Sequence, residues 1–136
     1  MALGERRDLL LLRAPIPERG RYYHRLRAIV VRAGLLIVEE RATLWHELVH
    51  AERGDEHCEG RDHLRQEARC HREAARRSID LRDLADAMCW SDDEHEQADQ
   101  LKTTVEYLRI RLDPRHLHPA ERAYLRRQLE MKEQSA

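Results

Sequence analysis

Phenylalanine is missing from this 136-residue chain, and aromatic residues of all kinds make up only 4% of it. A core built on large rings is excluded, so the interior must be aliphatic and carried by amphipathic helices. Lysine is nearly absent, Lys102 and Lys132 being the only ones. An excess of either charge is lacking as well: 25 Lys+Arg face 26 Asp+Glu, for a net charge of -1. Nothing global therefore draws the chain toward nucleic acid or anionic lipid. Cysteine is sparse, and Cys58, Cys70 and Cys89 are odd in number with no C-x-x-C spacing. That usage fits a reduced cytoplasmic protein better than a disulfide framework. Long apolar runs are missing too. Leu9 to Leu12 is the longest near the start, far short of a signal segment or a membrane span. The length suits a single small domain, residues 1–136, in a cytoplasmic protein with no membrane partner.

What is present is a chain whose charged residues reach 38% and whose patterning is mostly helical. Pro15, Pro17 and Gly20 keep residues 1–20 out of regular structure. Arg25 to Arg32 is β-branched and partly alternating, which predicts a strand ended by Ala33-Gly34; Leu35 to Val38 is either a second strand or the opening of the next helix. Helical periodicity then covers about 41–53, with Gly54 as its stop, followed by a polar loop over 55–60. Further helices are predicted at about 61–77, 80–90, 94–101 and 104–112. A last helix opens at Pro119 and runs to about Met131. The fold class expected is α+β and mostly helical. It comprises a metal-binding core over 21–79 and a helical part over 80–136.

The chemistry concentrates at 46–50, which reads HELVH. On a helix, His46 and His50 project from one face with Cβ atoms about 5–6 Å apart, the separation at which two imidazoles can share one Zn²⁺. Glu47 is rotated from them by about 100°. It is therefore no third ligand, but it can reach a water at the metal and take its proton. A catalytic site needs a third protein ligand and an open position. His57 does not meet the HExxHxxGxxH spacing, since Gly54 and His57 each arrive one residue late. On the next helix an apolar stripe through Leu64, Ala68, His71 and Ala75 leaves Glu67 about 60° from Leu64 and Glu73 about 180° away. Glu67 is accordingly the expected third ligand, ahead of His63. His71 is either a core histidine or a donor supporting the site.

Residues 21–24 (RYYH), 28–31 (AIVV) and 40–55 (ERATLWHELVHAERGD) together resemble the ImmA/IrrE family of metallopeptidases, closest to its short actinobacterial and actinophage members. Gln66-Glu67-Ala68 followed by Ala74-Ala75-Arg76-Arg77 is similar to the family segment that donates the third ligand. The resemblance covers roughly 20–113. It departs from the family at Ser78-Ile79-Asp80, where many members carry a hydrophobic pair and a proline. It implies a zincin-like fold with the HExxH helix packed on a short sheet. The implied zinc ligands are His46, His50 and Glu67, with Glu47 as general base, and the implied substrate is a regulatory protein such as a repressor in a phage or mobile element. Tyr22, Tyr23, His24 and His71 are the candidates for stabilising the oxyanion.

Residues 94–112 resemble a helix-turn-helix, with Arg109 and Arg111 offset by Glu106 and Asp113. They serve either as core-packing helices, burying Leu101, Val105, Leu108 and Leu112, or as a contact to nucleic acid or a protein partner. The first expectation is thus a zinc metallopeptidase. The alternative is a non-catalytic zinc protein that regulates by binding a partner, or DNA, through its helical part.

Overall fold

The structure, a computed structural model, describes residues 8–55 and 60–135. It is α+β and mostly helical. Two compact units are present, Met1–Ala74 and Ala75–Ala136.

The first unit holds a three-stranded sheet of β1 (Leu10–Ala14), β2 (Gly20–Tyr23) and β3 (Ala28–Arg32), in the order β1-β3-β2. β3 pairs parallel with β1 and antiparallel with β2. Being central, it is the strand whose side chains are hidden. Ala28, Ile29 and Val31 are buried, whereas Leu10, Leu11 and Leu12 on the edge strand are exposed. Each fully buried aliphatic chain such as Ile29 contributes about 1.5–3 kcal/mol relative to exposure. One expectation is corrected here, and one choice between two readings is decided in favour of the helix opening. Residues 1–20 are not irregular throughout, because Leu10–Ala14 forms β1 and Gly20 opens β2. The prolines between them break the chain without preventing either edge from pairing. The segment Leu35–Val38 is not a strand: Leu36 is the extended residue before helix α1, Ile37–Arg53.

Helix α1 lies against β2 and β3. Ala42, Leu48, Val49 and Ala51 are buried, and so are Thr43, His46, Glu47 and His50. Its end is set by Gly54, which adopts the left-handed conformation with φ of 67°. The Gly54 N–H bonds to the Ala51 carbonyl and the Asp55 N–H to the His50 carbonyl, at 3.2 and 3.0 Å. This is a Schellman closure, which the sequence anticipates through glycine. Of the polar loop expected after it, residues 56–59, including His57 and Cys58, lie outside the described residues.

Helix α2 (Gly60–Ser78) follows. Of the expected stripe, Ala75 is buried and His71 half buried, whereas Leu64 and Ala68 are exposed. Cys70 and Ala74 are buried instead, and Glu67 stands one turn before Cys70 on the same face. The inward residues of α2 are polar or small, and the apolar periodicity places Glu67 toward them while misplacing Leu64 and Ala68.

The second unit contains α3 (Leu81–Trp90), α4 (Glu94–Leu101), α5 (Val105–Leu112), a 3-10 turn (Pro114–His116) and α6 (Pro119–Ser135). Leu84, Ala85, Ala87, Ala98, Tyr107, Leu108 and Leu125 form its core. Leu101, Val105 and Leu112 are only half buried. Side-chain caps set the helix starts: Asp93 accepts from the Glu96 N–H and Thr104 from the Tyr107 N–H. Each such cap contributes about 1 kcal/mol. Both arginines of α5 are engaged within the unit. Arg109 pairs with Glu94, and buried Arg111 donates to the Ile79 carbonyl and to Glu121, each at 3.0 Å. Among the described residues, no helix is long and apolar enough to cross a membrane.

Candidate metal centre

His46 and His50 are four residues apart on α1, so both rings leave the same side of the helix, the side facing α2. Their Nε2 atoms approach to 3.1 Å. Glu67 closes the triangle from α2, its Oε2 lying 2.7 Å from His46 Nε2 and its Oε1 3.1 Å from His50 Nε2. Two donors bound at ~2.0–2.1 Å around a tetrahedral ion sit roughly 3.3 Å apart. Two of the three separations lie close to that value, and the third, Glu67 to His46, is shorter, so a small outward shift of the carboxylate would let all three side chains meet one ion. Without a cation, two imidazole nitrogens facing each other across 3.1 Å would need a proton between them.

The electrostatics agree with that geometry. Burial raises the carboxyl of Glu67, but the hydrogen bonds and charges of His46 and His50 outweigh it and hold the group well below the usual carboxylate range. Burial lowers His50, yet its contacts with Cys70, Glu67 and Asp55 push it up to about 11.

Glu47 is buried, and its oxygens and the nitrogens of His46 and His50 include one atom each lying within 4.8 Å of one another. Burial pushes its carboxyl above the usual range, partly offset by the two histidines; Glu67 adds to the rise, and the Tyr22 N–H bond opposes it. That N–H comes from edge strand β2. Close approach of the strand is possible because residue 20 is glycine. A Cβ there would lie 2.4 Å from Thr43 Cγ2 and 3.2 Å from Glu47 Cγ. Gly20→Ala is therefore expected to cost about 1–3 kcal/mol through overpacking. A thermal melt would show it, and Thr43→Ser, which removes the clashing methyl, is expected to recover most of the loss. An unchanged melting temperature in Gly20→Ala would contradict the close approach.

Of the four residues expected near an oxyanion, only His71 joins the metal-binding side chains. Its ring stacks on His46 at 4.0 Å between centroids and an interplanar angle of 21°, and it forms a His46, Glu67, His71 grouping able to hold a metal. The Tyr22 hydroxyl is engaged by His24 Nδ1 at 3.0 Å and by Arg27 at 2.7 Å. Tyr23 carries the Arg21 guanidinium over its ring, and His24 lies beside Gly54. Among the described residues, Glu73 and His63 belong to no such grouping.

Sequence reasoning missed two residues, Asp55 and Cys70. Asp55 Oδ2 lies 2.9 Å from His50 Nδ1. The Cys70 sulfur lies 3.3 Å from the same nitrogen and 3.4 Å from the Asp55 oxygen. Both could have been suspected from the placement of Asp55 directly after the helix-ending Gly54, and of Cys70 one turn past Glu67. Buried groupings of His, Glu, Asp and Cys able to hold a metal ion are thus a property of this unit.

No family model, no curated protein and no solved structure matches the chain.

Proposed function

We propose that the protein is a zinc-dependent metallopeptidase with a zincin-like site, in which the HExxH helix is backed by a short sheet. His46, His50 and Glu67 hold the ion, and Glu47 is the general base. The observation that carries this reading is the convergence of three donor side chains within 3.1 Å, with a fourth, buried carboxyl at the adjoining position. Zinc held by these two imidazoles and one carboxylate would supply a Lewis acid and lower the pKa of water to about 7.

Glu47 takes the proton of the attacking water and returns it to the leaving amine. Its burial suits the task, since a carboxyl raised from its usual range holds a proton more readily near neutral pH. The Tyr22 N–H orients that carboxyl. His71, stacked on His46, is the residue we assign to the oxyanion, because the hydroxyl of Tyr22 is engaged elsewhere. The substrate class is a regulatory protein such as a repressor, a reading supported by the resemblance of HELVHAERGD to the ImmA/IrrE family.

Metal analysis tests the proposal. Purified wild type is expected to bind one zinc per chain, and His46→Ala to lose it. Equal, sub-stoichiometric zinc in both would refute the site.

A further inference from the structure

We infer that Asp55 is a positioning residue of this metal centre: it selects the tautomer of His50 that presents Nε2 to the ion. The inference rests on the zinc reading above and adds to it a residue outside the HExxH motif and outside the ligand set.

An imidazole can give a metal only one lone pair, and the other nitrogen must then carry the proton. In His50 the nitrogen facing Glu67 and His46 is Nε2, so Nδ1 must be the one that bears hydrogen. Nδ1 faces Asp55 Oδ2 at 2.9 Å, and a carboxylate can only accept. That pairing makes the Nδ1–H form the stable one and fixes the ring plane.

Asp55 is held where it is by the end of α1. Left-handed Gly54 turns the chain back so that the Asp55 N–H bonds to the carbonyl of His50 itself, at 3.0 Å. Backbone and side chain of one residue thereby grip the backbone and the ring of another. The Cys70 thiol, fully buried, donates to the same Asp55 oxygen at 3.4 Å and limits the carboxylate's movement.

His46 is treated differently. Among the described residues its Nδ1 is buried with no hydrogen-bond partner, and its ring is held by stacking on His71. The pair of histidines thus has one ring set by a carboxylate and one set by packing. The arrangement places the tautomer control at His50.

The test uses zinc affinity together with the nitrogen NMR signature of the His50 ring. Asp55→Ala is expected to weaken zinc binding about 10–100-fold, the usual loss when such a supporting carboxylate is removed. Asp55→Asn keeps an acceptor oxygen and the backbone turn, so it is expected to fall between Ala and wild type. The Nδ1–H signal of His50 in the zinc-loaded protein is expected in wild type and Asp55→Asn, and in Asp55→Ala it is lost or exchange-broadened. Should Asp55→Ala fail to fold, the Asn variant still carries the comparison.

Wild-type affinity in both variants, with the same tautomer, would overturn the inference while leaving the zinc site intact. A wild type that binds no zinc would instead overturn the underlying reading. Two zinc ions per chain, falling to one in Asp55→Ala, would make Asp55 a ligand alongside His50 and Cys70, and the positioning role would fall.

Discussion

Replacing Glu47 by Gln is expected to leave one zinc per chain while lowering peptide hydrolysis by about 10²–10⁴-fold, the usual worth of a positioned general base. Glutamine has nearly the same shape as glutamate, and its amide oxygen can still accept the Tyr22 N–H that reaches the Glu47 carboxyl. It cannot take a proton from water. The fold should not suffer: residue 47 is buried, and a neutral amide removes the cost of a charge held away from solvent. Chemistry and structure therefore separate in this variant. The measurement is cleavage of a peptide or protein substrate alongside metal content and a thermal melt. Full biological function in a zinc-loaded Glu47→Gln variant would end the peptidase reading. It would leave a protein that uses its metal to bind a partner without cutting it.

Glu67→Ala is the second large effect, and here the metal itself is lost. The carboxylate meets both Nε2 atoms, at 2.7 Å from His46 and 3.1 Å from His50. Its removal is expected to weaken zinc by more than the roughly 10–100-fold that loss of a supporting partner costs. Glu73→Ala on the same helix is the control and is expected to bind as wild type. Isothermal titration of the three proteins decides the matter, and equal affinity in all three would remove Glu67 from the ligand set.

The metal-free Glu67→Ala protein is expected to show a further change in its pH profile. Glu67 is depressed, so its contribution to stability is present above the ordinary carboxylate pKa and lost as pH falls through the folded value. His50 is raised to about 11, so its contribution is present below the ordinary histidine pKa and lost as pH rises toward that value. Their contact therefore supports the metal-free fold most strongly between about 4.5 and 6.5, the ordinary values of the two groups. Glu67→Ala is expected to abolish the loss at low pH, while the His50 limb, held also by Cys70 and Asp55, is expected to remain in a pH series of thermal melts.

Much of the architecture was legible because it depends on near neighbours. Helix α4 spans Glu94–Leu101 as the spacing predicts, and α5 begins after the Thr104 cap. Gly54 ends α1 for a reason internal to the residue: without a Cβ it enters the left-handed region at little cost. Strand β1 was hidden because Leu10, Leu11 and Leu12 do not alternate, and their place in the sheet comes from β3, whose sequence lies well downstream. The start of α1 was read late. Leu35 to Val38 is apolar enough for a strand, but Ile37 opens the helix with its own side chain exposed.

The same division runs through the site. By itself the sequence determined that His46 and His50 share a face, because four residues make about one helical turn. It also determined that Glu47 stands beside them without belonging to the pair. It placed Glu67 toward α1 as well, but only the tertiary structure decided which neighbours on α2 turn inward with it. Cys70 and Ala74 are buried beside Glu67, while Leu64 and Ala68 of the apolar stripe are exposed. Tertiary structure likewise decided that Asp55 and Cys70 meet His50 Nδ1. A helix repeats its contacts at a fixed spacing, and a sequence displays that spacing. The approach of a second helix and the return of a chain past a glycine have no period, and the residues they bring together carry no common mark until the chain is folded.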